Sequence, residues 1–357
     1  MHTEPLVSVC VPTYNDGEFL AQSLQSIVAQ TYHNLEIIVG DDASIDNTTD
    51  IVCGFDDSRI RYYRNSKNLG QFENVNHLVQ QAKGQYVAVY HSDDVYTPQI
   101  IEKQVNFLQA HPEAGAIFAM NWRMNELGEI TGQSKLLKEV STATCLELAD
   151  VLPVLLQYKN WLLIGPTFMG RSEVFQKVGF FSSNFSIAGD FEMWLRILTT
   201  FKIAVLDEPL MYYRQGSTQV SYGYQYLRTF EEHFFTIVDH YLADESLANR
   251  LDRTVLTEYT FHRRDDETFR AANYVIQGKV AQAEALLQHP YPWRTFLTSN
   301  LWKRKLRVLL LRTLIQVGLT FGMIRSLARV LLWTEYGRPF SSTSELAPTC
   351  QKKCFDP

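Results

Sequence analysis

Two adjacent acids, Asp93 and Asp94, end the apolar run YVAVYHSDD, and a second pair, Asp41 and Asp42, ends LEIIVGDDAS. A further acid, Asp190, sits in AGDFEMWLRIL. An apolar run of five or six residues that stops at acids predicts a buried strand whose carboxylates emerge at its C-terminal end. In open α/β sheets that edge is where ligands bind. Neighbouring carboxylates repel, and each tends to protonate unless a cation or donors compensate. Paired carboxylates at such an edge suit a hard divalent cation, and a cation suits a diphosphate.

The elements needed to position these acids follow from periodicity. Strand-like runs fall at 6–11, 35–39, 60–63, 86–90 and 114–122, with helical spacing at 18–30, 48–55 and 72–82 between the first four. Thr97 and Pro98 predict the N-cap and first position of a helix running to Ala110,. Helical patterns also cover 141–157 and 192–200, and 165–167 (GPT) marks a turn or loop. Asp190 could serve as N-cap of the helix carrying Met193 and Trp194 while facing the cleft. Strands alternating with helices predict an α/β, doubly wound, mostly parallel sheet. Beyond residue 222 the chain reads as almost all α, with a helical hairpin at 267–288. The expected domains are 1–221 (catalytic), 222–339 (helical) and 340–357 (a polar, disordered tail).

At 357 residues, with 46% hydrophobic and 20% charged residues, the chain can bury a large core,. The net charge of −6 is uneven: residues 300–338 hold eight Lys/Arg and one Glu, a balance of +7 that leaves −13 elsewhere. That asymmetry argues against a nucleic-acid partner and for a local basic device. Five cysteines form no framework; Cys10 reads as a core residue, and Cys350 and Cys354 lie in the tail,. The run LVSVCV is too short for a signal-peptide core, so a reduced cytoplasmic setting is expected,. No G-x-G-x-x-G follows the first strand and no G-x-x-x-x-G-K-[ST] occurs, which argues against a dinucleotide-binding dehydrogenase and a P-loop NTPase,.

The stretches VSVCVPTYNDGEFLAQSLQSIVAQTY, LEIIVGDDASIDNT and NLGQFENVNHLVQQAKGQYVAVYHSDDVYTP, followed by GPTFMGRSEVFQKVGFFS, AGDFEMWLRI and LMYYRQGSTQVS, together resemble family-two glycosyltransferases across residues 5–221. The resemblance implies the GT-A fold with a helical C-terminal extension, and an inverting, metal-dependent transfer from a nucleoside-diphosphate sugar, by family habit UDP-linked, to a glycan or lipid-linked acceptor. It places Asp190 as general base. Pro12, Thr13, Tyr14, Asp41, Asp93 and Arg214 become donor contacts, Arg214 on a flexible loop near the diphosphate; Lys67, next to Asn68-Leu69-Gly70, is a weaker phosphate candidate read from its position. Asp93 and Asp94 become ligands of Mn2+ or Mg2+, and His91 either ligates or packs. The sequence departs from the family at His91, where an Asp is frequent, at Gly189 for Glu, and at Gly216 for His. These departures leave a rival open, a subunit that binds nucleotide sugar without turning it over.

Residues 301–333 combine long apolar runs with seven Lys/Arg. The longest charge-free run, 313–324, is shorter than the roughly 20 residues that a span needs. Peripheral contact with the inner face of the cell membrane is therefore expected, apolar side chains down and basic groups near anionic headgroups.

Overall fold

The computed structural model describes residues 4–141, 144–216, 227–297 and 302–336. The chain divides into two compact units, Met1–Gly216 and Ser217–Pro357. In the first, β1 (Val7–Thr13), α1 (Gly17–Val28), β2 (Leu35–Asp41), α2 (Thr48–Cys53), β3 (Ile60–Arg64), α3 (Gln71–Gln81) and β4 (Tyr86–Val89) alternate as the sequence predicts. These four strands are parallel and lie in the order β3-β2-β1-β4. The chain steps outward from β1 to β3 and then returns to the other side of β1. The gap beyond the C-terminal ends of β1 and β4 is thus the topological switch point.

Strands β1, β2 and β4 are buried on both faces, so they read as continuous apolar runs rather than alternating ones,. Val9, Val11, Ile37, Val39 and Ala88 pack with Leu20, Leu24 and Ile27 of α1 in one core. Each such Val, Ile or Leu side chain contributes roughly 1.5–3 kcal/mol on burial.

The second half departs from a simple alternation. After β5 (Val95–Tyr96), α4 (Ile100–Ala110) and β6 (Ala114–Met124) come β7 (Ile130–Gln133), α5 (Leu148–Tyr158), a 3-10 turn at Gly165–Thr167, β8 (Met169–Arg171), α6 (Ser172–Val178), α7 (Gly189–Leu198) and β9 (Lys202–Arg214). Strand β8 is antiparallel to both β4 and β6, while β9 runs parallel to β6 and antiparallel to β5. Helix α4 begins later than expected: Thr97 Oγ1 donates to Leu210 O (3.0 Å) instead of capping, and Gln99 takes the cap position. Helix α5 begins at Leu148, because Leu146 bridges Ile203, and Glu147 and Asp150 form a capping box,.

The second unit holds α8 (His233–Leu242), α9 (Glu245–Ala248), α10 (Arg253–Ile276), α11 (Val280–Leu287), α12 (Trp302–Thr320) and α13 (Ile324–Tyr336). The expected hairpin is the end of α10 plus α11, turned at Gly278, whose φ of +73° suits glycine,. Ala272, Ile276, Ala283, Ile315 and Leu331 form its core. The tail from 340, with Cys350 and Cys354, and residues 217–221 of the last family motif lie outside the described residues.

Candidate active site

Strands β1 and β2 end level, with Thr13 paired to Asp41, while β4 ends at Val89 opposite Cys10, three residues before the end of β1. Just past β1, Asn15 takes a φ of +53°, its N donates to Ser44 Oγ (2.9 Å) and its Oδ1 accepts from Ile45 N (2.8 Å). That ties the loop after β1 to the loop after β2. Pro12 and Tyr14 are half-buried here. Thr13 is buried, and its Oγ1 has no hydrogen-bond partner among the described residues.

Asp41 is fully buried. Its Oδ1 accepts from Ser44 N (2.7 Å) and its Oδ2 from Tyr62 Oη (2.6 Å), with Arg64 Nε at 3.4 Å. Burial and the bond to Asp41 push the Tyr62 hydroxyl up to about 12. A carboxylate offers about four acceptor sites, so Asp41 keeps capacity for a ligand N–H. Asp42 is structural: it accepts from Asn65 Nδ2, Leu69 N and Gly70 N, each at 2.9 Å, and so shapes the loop 65–70. Lys67 is exposed on that loop.

The acidic cluster follows β4. One donor atom each from His91, Asp93 and Asp94 lies within 4.8 Å of the others. The turn is fixed by His91 N donating to Tyr96 Oη (2.6 Å) and Ser23 Oγ donating to His91 O (2.9 Å). Asp94 is fully buried; its Oδ1 accepts from Arg214 N (2.8 Å), and its Oδ2 is a buried oxygen with no hydrogen-bond partner among the described residues. Burial first, and Asp93 second, push the Asp94 carboxyl well above the usual range. Asp93 is raised by burial and by Asp16, and burial lowers His91. Buried acids beside acids, with one oxygen unsatisfied, make a donor set that fits a hard divalent ion.

Asp16 belongs to this cluster and sequence reasoning leaves it in a turn. Its Oδ2 accepts from Ser92 Oγ (2.8 Å), and its charge acts on His91, Asp93 and Asp94. The one available signal is a third carboxylate just past the end of β1.

Arg214 is placed differently from expectation. It ends β9 rather than riding a flexible loop, and only 4% of it is exposed. Besides its backbone bond to Asp94, Nε donates to Asp93 O (2.8 Å), Nη2 to Gln22 Oε1 (2.7 Å) and Nη1 to Glu126 O (3.3 Å), with the guanidinium 4.3 Å above the Phe19 ring. It braces the acidic turn.

Asp190 stands in the first turn of α7, after its N-cap Ala188, and so is not the cap itself. The helix is anchored by Trp194, stacked on Phe168 (4.3 Å) and edge-on to Phe118 (5.1 Å), and by the Glu192–Arg196 pair (2.8 Å). Asp190 Oδ1 accepts from Phe191 N (2.6 Å), while Oδ2 comes within 3.0 Å of where a Cβ on Gly165 would lie. Gly165 opens the turn that leads into β8, and Val89 N donates to Phe168 O (3.2 Å) just after that turn. Asp190 therefore reaches the same end of β4 as the acidic cluster. Burial raises its carboxyl to about 6.

The departure at Gly189 has a steric reason, whereas the close atoms at Gly216 all belong to the exposed Glu126 side chain, which can move. A Cβ on Gly189 would fall 2.4 Å from Ser182 O and 2.6 Å from the Phe72 ring; on Gly216 it would fall 2.3 Å from Glu126 Oε1.

Comparison with known proteins agrees with this architecture. Glycosyltransferase GlyG of Streptococcus pneumoniae is 28% identical over 60% of this chain and 72% of its own length. An uncharacterized glycosyltransferase of Rickettsia felis is 29% identical over 61% of this chain. The chain spans 36% of the length of that relative and 66% of one from Rickettsia typhi. Among solved structures, S. aureus TarS 1-349 in complex with UDP-GlcNAc superposes with a TM-score of 0.57 at 18% identity, covering 93% of this chain and 92% of that one. Mannosyltransferase PcManGT from Pyrobaculum calidifontis, in complex with GDP-Man and Mn2+, gives 0.52 at 16%, covering 94% and 89%. These likenesses fix the fold as GT-A. The family profile of glycosyl transferase family 2 matches residues 8–187, from β1 through the acidic cluster to the turn before α7, and the chain belongs to that family.

Proposed function

We propose that this chain is a metal-dependent, inverting glycosyltransferase. It moves a sugar from a nucleoside-diphosphate sugar, with UDP as carrier, to a glycan or lipid-linked acceptor. The observation that carries this reading is the convergence of His91, Asp93 and Asp94, with its unpartnered buried oxygen, on the switch point between β1 and β4. Asp93 and Asp94, with His91 as a further donor, hold Mn2+ or Mg2+. When bound, the ion neutralises charge on the leaving diphosphate.

The protein's own groups divide the remaining work. Pro12, Thr13 and Tyr14 flank the nucleoside, and Asp41 accepts from the base edge. Lys67 is the phosphate candidate that stays accessible, whereas Arg214 positions Asp93 and Asp94. Asp190 takes the proton from the acceptor hydroxyl as its oxygen attacks the anomeric carbon on the face opposite the leaving group. A carboxyl near 6 is ionised at neutral pH and more basic than an ordinary aspartate, which suits that role,. The UDP-GlcNAc and GDP-Man in the neighbours' structures support a nucleotide-sugar donor, and the Mn2+ beside GDP-Man supports the metal.

The test incubates the full chain with UDP-, GDP- and dTDP-sugars, with Mn2+, Mg2+ or chelator, and measures free nucleoside diphosphate. Metal-dependent release from one donor is expected. Donor binding with no release from any donor, acceptor extracts included, would make the chain a binding subunit instead.

A further inference from the structure

Helix α12 mixes two cations into its core-facing side and leaves a second, apolar stripe in solvent. Its buried face carries Lys305, 0% exposed, and Arg312, 3% exposed, alongside Val308, Ile315 and Gly318. Lys305 Nζ donates to Glu258 Oε1 (2.5 Å) and Thr295 O (2.6 Å); Arg312 Nη2 donates to His289 O (2.6 Å) and Nη1 to Thr268 Oγ1 (3.2 Å). Buried cations are costly unless paired in this way. The opposite face shows solvent Trp302, Leu306, Leu310, Leu314, Val317 and Phe321, with exposures from 39% to 73%. At 100° per residue these six fall within an arc of about 120°, centred opposite the buried residues. A surface helix normally presents a charged or polar outer face. Single exposed apolar residues need no explanation, but a stripe along all 19 residues of α12, roughly 28 Å, marks contact with something apolar,.

The rim identifies the partner. On α12, Lys303 lies at the N-terminal end of the stripe and Arg307 at its edge; Arg325 and Arg329 are exposed on α13, and residues 302–332 contain no Asp or Glu. Two copies packed through this face would bring like charges together. Anionic headgroups complement it instead. No helix among the described residues is long and apolar enough to cross a membrane. An apolar stripe with basic flanks and no span is the arrangement of a helix lying in the interface. We infer that α12 docks flat on an anionic lipid surface, with the Trp302-to-Phe321 stripe in the headgroup–acyl boundary and the basic rim on the phosphates. The expectation of membrane contact over 301–333 thereby gains a specific face, and this docking does not depend on the transfer reaction.

The experiment is vesicle flotation of the full chain, without donor or acceptor, using phosphatidylcholine alone or mixed with phosphatidylglycerol. The chain should float with the anionic vesicles and be partly released by high salt. The double substitution Leu310→Gln/Leu314→Gln alters exposed positions only, so its thermal melt should match wild type while vesicle affinity falls about tenfold or more. Lys303→Gln/Arg325→Gln should leave the stripe and weaken the anionic preference about fivefold per residue. Absence of flotation, or equal flotation of the Leu variant, overturns the inference. A wild-type dimer that the Leu variant dissolves, with no vesicle binding, would assign the stripe to a second copy and overturn it as well.

Discussion

Asp190 is expected to give up stability for reactivity, and Asp190→Asn separates the two. Its carboxyl shifts from 3.8 to about 6 in the folded protein. At about 1.4 kcal/mol per unit, a shift of about 2 units is worth about 3 kcal/mol. A raised carboxyl pKa makes the native state the better proton binder. Below the unfolded value both states are protonated and there is no penalty. As pH rises from there through the folded value, stability is lost, and above it the full amount is missing. Asparagine keeps the oxygen that accepts from Phe191 N and carries no charge at any pH. The variant should therefore be more stable than wild type by up to about 3 kcal/mol near pH 8, with the gap shrinking by about 2 kcal/mol near pH 4.5. Urea unfolding at the two pH values measures the gap directly. In parallel, transfer should fall by about 10²–10⁴-fold with donor affinity nearly unchanged, and wild-type kcat/KM should climb with pH to a plateau above about 6. A stability gap that does not change with pH, or activity within about threefold of wild type, would refute the assignment.

Three further outcomes are expected. Calorimetry should show nucleoside-diphosphate binding only with Mn2+ or Mg2+, lost with chelator and in Asp94→Ala; equal affinity without metal would mean that the acidic cluster is not a cation site. Proton NMR of fresh product should show a β linkage from an α-linked donor if Asp190 acts as the base of a single displacement; a retained α configuration would overturn single displacement. Arg214→Ala removes the bonds to Asp93 O and Gln22 and the packing on Phe19, so it should cost roughly 2–4 kcal/mol in thermal unfolding and weaken metal binding,. Unchanged stability with diphosphate affinity lost at saturating metal would instead make Arg214 a phosphate clamp.

The half of the sheet that builds the switch point is legible in the sequence because its strands are apolar runs ended by acids. Strand β9 is not legible. Asp207, Glu208 and Pro209 interrupt its apolar pattern, and its pairing with β6 shifts register between Ala119 and Asn121, opposite that interruption,. Missing β9 misplaces Arg214: a basic residue before a Gly-Ser stretch reads as a loop cation, and only the pairing shows its N–H meeting Asp94. Gly189 and Gly216 look like deleted functional side chains. At Gly189 the space is filled partly by the Phe72 ring, which comes from far along the chain and leaves no local trace. Asp190 was legible as a residue but not as an atom, since the environment that lifts its pKa is assembled from α7 and the turn before β8.

Perturbed acids alone would not have located the site, because the second unit holds one too. Asp266 is fully buried as a side chain, and burial raises its carboxyl, but Arg228 Nη2 lies 2.6 Å from Oδ1 and Arg270 Nε 2.7 Å from Oδ2. Glu258, equally buried, faces Lys305 Nζ. In both places the compensating charge is covalently part of the chain. In the first unit the pairing is acid against acid. Asp94 receives a backbone N–H from Arg214, but that residue's Nε bonds the Asp93 carbonyl and not a carboxylate. That backbone dipole and the nearby Arg214 charge offset only part of the cost of burial, for the Asp94 carboxyl stays well above the usual range, and Asp93 and Asp16 add to what must be offset,. A buried acid between two guanidiniums needs no mobile ion, whereas an acid beside acids is stabilised by one. By mass action, such an ion would also raise the stability of the first unit, by an amount that grows with the logarithm of its affinity. The sign of the neighbours, rather than the size of the pKa shift, separates a site that recruits a cation from a network that only holds helices together.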